Sequence, residues 1–84
     1  NKNSLQYLQN EFSMLGVLFL PSAANFITTI WKSEEEAKSI VNKLMESGII
    51  VRHLKSFGWP NYIRISTGLE EENKRLISQL KAIL

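Results

Sequence analysis

Two arginines, Arg52 and Arg64, occupy matching places in two β-rich runs joined by a turn. The first run is Ile49-Ile50-Val51-Arg52-His53-Leu54 and the second is Tyr62-Ile63-Arg64-Ile65-Ser66. Between them, Lys55-Ser56-Phe57-Gly58-Trp59-Pro60-Asn61 carries the turn formers Gly, Pro and Asn. Folding the runs together about Gly58 sets Leu54 opposite Tyr62, Arg52 opposite Arg64 and Ile50 opposite Ser66. Side chains alternate faces along a strand. Ile49, Val51, Ile63 and Ile65 then share the core face, and the two arginines share the other. Like charges directly opposite on neighbouring strands are destabilising, and an anion between them would relieve this. Two guanidinium forks suit a phosphate or a carboxylate, because each can donate a bidentate pair of hydrogen bonds. The alternative is that both arginines splay into water, as surface arginines commonly do.

The other reactive side chains form no catalytic set. His53, the sole histidine, alternates onto the face of Ile49 and Val51, where a lone histidine is more often a hydrogen-bonded structural residue than a base. Ser22, Ser66 and Thr67 have no base nearby in sequence. Glu34, Glu35 and Glu36 read as the solvated first turn of a helix, where the dipole favours acids, and not as a metal site. Met45 reads as core packing. There is no Gly-rich phosphate loop, no cysteine for a disulfide or thiolate metal site, and no aspartate.

Length and composition bound the rest. Eighty-four residues make one small domain, spanning 1–84. Such a chain buries only roughly 60% of its unfolded surface and is marginal alone. The net charge of +2 with scattered lysines does not argue for nucleic acid. Leu15 to Leu20 is too short to span a membrane, and no stretch reads as a signal peptide. The chain does not begin with Met and reads as part of a longer, cytoplasmic protein.

The elements that must position the arginines follow in order. Asn3 or Ser4 can cap a first helix carrying Leu5, Leu8, Phe12 and Leu15, with Gly16 as its stop. Val17 to Leu20 is a short strand ended by Pro21-Ser22. Asn25 to Trp31 is a strand with two partly apolar faces, expected inside the sheet and covered on both sides. Ser33 to Ser47 is a helix opened by a Ser33/Glu36 capping box, with Ala37, Ile40, Val41, Leu44 and Met45 inward and Gly48 at its end. A last helix follows Gly68, with Leu76, Ile77, Leu80, Ile83 and Leu84 on one face and a Thr67/Glu70 capping box. The order predicts an α+β fold: a small antiparallel or mixed sheet of about three to four strands, split-βαβ-like, with helices on one face. The crossover rule places strand 62–66 between strands 25–31 and 49–54.

The hairpin and its flanks also resemble a known family. Val51-Arg52, then Phe57-Gly58-Trp59-Pro60-Asn61, then Ile63-Arg64, Gly68 and Glu71-Glu72-Asn73 are similar to the C-terminal end of histidinol-phosphate aminotransferases. These are pyridoxal-phosphate enzymes of the class I/II aminotransferase group. Pro21 to Phe26, PSAANF, resembles the family's PS-x-x-NF. A threonine usually follows the family's glycine as the helix cap, whereas Leu69 stands here, so the helix is expected to start a residue or two away.

The resemblance implies a C-terminal small domain whose open face turns toward a larger cofactor-binding domain. It implies that Arg64, joined by Arg52, holds the substrate's acidic group, a phosphate in the histidinol-phosphate enzymes. The parent reaction would be reversible transamination in histidine biosynthesis, passing the amino group of a phosphorylated amino alcohol or amino acid to pyridoxal 5'-phosphate and then to 2-oxoglutarate. The Schiff-base lysine and pyridine-facing aspartate would lie in the large domain, so the chain alone is expected to hold no cofactor and to be inactive. A homodimer of the full enzyme is implied as well. Asn25 and Phe26 are read as strand packing, and Phe57 and Trp59 as residues of the pocket or the domain interface. Two rival functions are a stand-alone ferredoxin-like module that binds an anion for regulation, and a sheet-face nucleic-acid binder. The second is disfavoured because only Tyr62 is placed to stack.

Overall fold

The computed structural model describes residues 2–22 and 24–84. Ala23, within the Pro21–Phe26 stretch, lies outside the described residues. The elements are α1 (Lys2–Leu15), β1 (Leu18–Leu20), β2 (Phe26–Ile30), α2 (Glu34–Glu46), β3 (Arg52–His53), a 3-10 turn (Leu54–Phe57), β4 (Tyr62–Ser66) and α3 (Glu70–Ile83). The strands form a four-stranded sheet in the order β1-β2-β4-β3, and every neighbouring pair is antiparallel. β2 and β3 both run against β4, so they are parallel to each other, with α2 as the crossover between them. This is the expected split βαβ arrangement, with 62–66 in the middle.

Period-two alternation decides what lies under the helices. Ile27, Thr29, Ile63 and Ile65 point inward and are buried. Leu8 and Phe12 of α1, Ala37, Ile40 and Leu44 of α2, and Leu76, Ile77 and Leu80 of α3 cover them. Phe19 joins this layer from β1, with its ring 6.1 Å from that of Phe12. The inner polar groups are paired: Trp31 Nε1 donates to Thr29 Oγ1 at 2.9 Å, and Thr29 Oγ1 donates to the Ile63 carbonyl at 2.9 Å.

Several expected details differ. Met45 is 55% exposed: consecutive helical residues are about 100° apart, so Met45 rotates off the line set by Ile40 and Leu44. Leu84 lies past the end of α3 and is exposed. β2 is covered on its inner face, but Phe26, Thr28 and Ile30 are half-buried because no second layer lies over them among the described residues. α1 starts at Lys2, so Asn3 and Ser4 lie within its first turn instead of capping it, and Ser4 Oγ donates to the Gly68 carbonyl at 3.3 Å. Ile49 to Val51 are not in a strand, and Ile50 is exposed.

The start of α3 shows how one position is replaced by others. The Thr67/Glu70 capping box does not form, because Thr67 N–H and Oγ1 both donate to the Asn25 carbonyl, at 2.8 and 3.2 Å, and Thr67 stays with the sheet. The helix begins at Glu70 with Leu69 as its cap residue, directly after Gly68, so the expected displacement does not occur. Leu69 has no side-chain acceptor. Instead Leu69 N–H donates to Glu72 Oε1 at 2.8 Å. Asn73 is buried and clasps Gly68, accepting from Gly68 N–H at 2.9 Å and donating to its carbonyl at 3.2 Å.

That clasp predicts the cost of losing it. Asn73→Ala leaves the Gly68 N–H without its partner and lowers stability by about 1–3 kcal/mol, read as a lower urea midpoint with an unchanged slope. An unshifted midpoint would refute the capping role of Asn73.

Candidate functional site: an arginine row on the open sheet face

The outer face of the sheet is built from the residues left over when the inner face is buried. Cross-strand register makes it three rows. Leu18, Ile30 and Tyr62 form one; Leu20, Thr28, Arg64 and Arg52 form the middle one, across all four strands; Phe26 and Ser66 form the third. Arg52 is directly opposite Arg64, in the register predicted from the sequence. The predicted Leu54–Tyr62 and Ile50–Ser66 pairs are not part of the ladder, because β3 is confined to Arg52–His53 and the chain turns into a 3-10 helix at Leu54.

Neither arginine of the pair has a carboxylate in an ion pair among the described residues; the ion pairs there join Lys55 to Glu34, Lys74 to Glu70 and Lys81 to Glu11. Each guanidinium lies instead over an aromatic ring. Arg64 Cζ is 4.9 Å from the centroid of Phe26, and Arg52 Cζ is 6.0 Å from that of Phe57. Arg64 is half-buried and Arg52 is exposed. Phe26, read from the sequence as strand packing, lies beneath Arg64 on the outer face. β1 and the turn after β3 carry exposed apolar side chains: Leu18 is 67% exposed, Leu20 45%, Phe57 57% and Trp59 56%.

The turn that carries Phe57 is fastened at several points. Gly58 takes φ 87°, a left-handed conformation natural to glycine. His53 Nε2 lies 2.5 Å from the Pro60 carbonyl. A carbonyl only accepts, so the nitrogen carries the proton and histidine serves the turn. Asn61 Nδ2 donates to the Trp31 carbonyl at 3.0 Å and the Asn61 carbonyl accepts from Trp31 N–H at 2.8 Å, tying the hairpin to β2. Trp59 lies 6.3 Å from Tyr62, ring to ring. Lys55 Nζ meets Glu34 at 2.7 Å, joining the turn to the first turn of α2. The hydrogen bond to Lys55 holds the Glu34 carboxyl below its ordinary value, and the same bond raises the Lys55 ammonium.

The described residues do not bring together a lysine and an acidic partner for a pyridine nitrogen, which a cofactor of the pyridoxal kind needs. The chain has no aspartate. Lys32, Lys38, Lys43, Lys55, Lys74 and Lys81 all have exposed side chains. Among the described residues no group of three acidic or histidine side chains could hold a metal ion. A groove between the loop after α2 and the start of α3 contains Arg75, but that guanidinium is committed to the Ser47 carbonyl. The arrangement that remains is an uncompensated pair of anion forks on an open, partly apolar face.

Residues 2–80 match the family described as Aminotransferase class I and II. The chain belongs to that family. It is 39% identical to histidinol-phosphate aminotransferase 1 of Psychrobacter arcticus, over 100% of this chain and 23% of that protein. It is 44% identical to the histidinol-phosphate aminotransferase of Campylobacter hominis, over 82% of this chain and 19% of that protein. The crystal structure of histidinol-phosphate aminotransferase from Sinorhizobium meliloti, in complex with pyridoxal-5'-phosphate, superposes with a TM-score of 0.84 at 29% identity, over 99% of this chain and 24% of that one. The chain thus spans about a quarter or less of the aminotransferases it matches. No helix among the described residues is long and apolar enough to cross a membrane.

The Glu34–Lys55 bond makes the turn pH-sensitive at both ends. Glu34 is depressed in the folded chain, so its contribution is present above its ordinary 4.5 and is lost as pH falls through the lower folded value. Lys55 is raised, so its contribution is present below 10.5 and is lost as pH rises through the higher folded value. Trp59 fluorescence is expected to report a slight loosening of the turn in acid and in strong base, small because exposed ion pairs contribute little, and smaller still at high salt, which screens them. Glu34→Gln removes the acid step. An acid profile identical in the variant and the parent would show that this bond does not hold the turn.

Proposed function

We propose that this chain is the substrate-anchoring C-terminal small domain of a pyridoxal-phosphate-dependent aminotransferase, and that Arg64 and Arg52 grip the anionic group of its amino substrate. The observation that carries the reading is the direct opposition of two arginines with no carboxylate paired to either among the described residues. Two guanidinia offer two parallel pairs of N–H donors, which a phosphate accepts on several oxygens. Family membership and the recurring histidinol-phosphate aminotransferases among its relatives favour histidinol phosphate as substrate; on this reading 2-oxoglutarate is the amino acceptor.

On this reading the chain contributes positioning. Holding the phosphate end fixes where the amino-bearing carbon lies, and such fixation lowers the barrier by removing motional freedom before reaction. Pyridoxal phosphate would be held by the part of the protein outside this chain, where it supplies the electron sink for amino transfer. The apolar residues around the arginines form the contact face for that larger domain, which excludes water from the anion site and strengthens its hydrogen bonds. The whole protein would be a cytoplasmic homodimer.

The test uses the full-length protein. Arg64→Ala should raise KM for histidinol phosphate by about 100-fold, the size expected when a charged hydrogen-bond pair is lost. Arg52→Ala should raise it by about tenfold, since its side chain is the more exposed of the two. Arg64→Lys should not rescue fully, because an ammonium has no bidentate fork. Unchanged kinetics in both alanine variants would refute the anion role.

A further inference from the structure

We propose that Phe26 is the positioning residue for Arg64, holding its guanidinium ready for an anion without occupying the hydrogen bonds that the anion needs; this rests on the reading of Arg64 as an anion anchor. Phe26 pairs with Ser66 and Thr28 pairs with Arg64, so Phe26 is the diagonal neighbour of Arg64 on the same face. A diagonal pair on adjacent strands is within reach of an aromatic ring and a long side chain. The guanidinium carbon sits 4.9 Å from the ring centroid, well inside the range of a cation–π contact. Arg52 is 6.0 Å from Phe57, at the edge of that range.

The directions of the two contacts matter. Phe26 lies toward the Ser66 end of β4, whereas Phe57 lies beyond β3, toward the turn end of the hairpin. The two rings thus lie toward opposite ends of the Arg52–Arg64 pair along the strand direction. A carboxylate would have relieved the repulsion, but by accepting the N–H donors and cancelling the charge. A ring carries no anionic oxygen, so it neither cancels the guanidinium charge nor takes its donors into carboxylate hydrogen bonds. Arg64 thus keeps its charge and its donors while losing rotamer freedom before the anion arrives.

The experiment compares phosphate binding and kinetics in the full-length protein. Phe26→Leu keeps an apolar side chain and removes the π-face, and Phe26→Tyr keeps both. Phe26→Leu is expected to weaken inorganic phosphate binding, measured by titration calorimetry, and to raise KM for histidinol phosphate, each by about three- to tenfold. The kcat should hold, and Phe26→Tyr should restore both affinities. In an Arg64→Ala background, Phe26→Leu should add nothing further. If Arg64→Ala binds phosphate as tightly as the parent, the anchor reading fails and this inference fails with it. If Arg64→Ala weakens binding and Phe26→Leu does not, only the positioning role is overturned. It is also overturned if Phe26→Leu lowers the thermal midpoint and Tyr fails to rescue, since the ring would then be packing alone.

Discussion

Burial on the helix side of the sheet sets the arginines side by side. Ile63 is fully buried and Ile65 nearly so, while Tyr62, Arg64 and Ser66 alternate to the other face. A one-residue slip of β4 would exchange these sets. Burying an isoleucine contributes about 1.5–3 kcal/mol, and a cross-strand pair contributes roughly 0.2–1 kcal/mol. Two buried isoleucines therefore outweigh one repulsive arginine pair severalfold. The sheet keeps Arg52 opposite Arg64 because the apolar side decides the register, and the charged side accepts the consequence.

The same constraint explains why so much chemistry is spent on a short turn. β3 pairs over only Arg52 and His53, too little ladder to fix a strand by itself. The remaining order comes from side chains: His53 to Pro60, Asn61 to Trp31, and Lys55 to Glu34. Leu54 adds an apolar anchor at the start of the 3-10 turn, where it is 6% exposed. The turn is thus tied to β2 through Asn61 and to α2 through Lys55. Arg52 takes its position from this network more than from strand pairing, which accounts for its greater exposure and its longer distance to a ring.

Most of the fold was legible because local signals agreed. The apolar spacing of α1, the Ser33 cap of α2 and the β-branched run of β4 each pointed to the element that forms, and the crossover rule placed β4 between β2 and β3. The Arg52–Arg64 register was legible for the same reason, since alternation and a turn centred on Gly58 admit one pairing that buries Ile63 and Ile65. The length of β3 was not legible. Ile49-Ile50-Val51 has strong β propensity, but Ile49 N–H bonds back to Leu44 as α2 ends, and that closure takes the residue out of the sheet. The cap of α3 was misjudged because Thr67 has two acceptors to choose between, and the β2 end claims it. Asn73, buried and clasped to Gly68, carries no distinctive signal beyond its spacing from the glycine. Phe26 was missed as a companion of Arg64 because the diagonal contact needs the β2–β4 register, which no local pattern states.

An anion site at a cross-strand arginine pair meets two opposed demands. The cations must be held still, or binding pays to order them; they must also stay unsatisfied, or the anion has nothing to gain. An acidic neighbour meets the first demand and defeats the second, because breaking a formed ion pair returns much of what the anion supplies. An exposed arginine meets the second and fails the first, since its rotamer freedom is lost on binding. An aromatic ring on the diagonal serves both, with an attraction of about 0.5–2 kcal/mol that takes no donor into a carboxylate hydrogen bond. The absence of aspartate from the chain fits this economy: the acids present are glutamates, and those in ion pairs lie on the helices, facing lysines and not the arginine row. On the proposed reading, the sheet face thereby keeps two positive charges for an anion that comes from outside the chain.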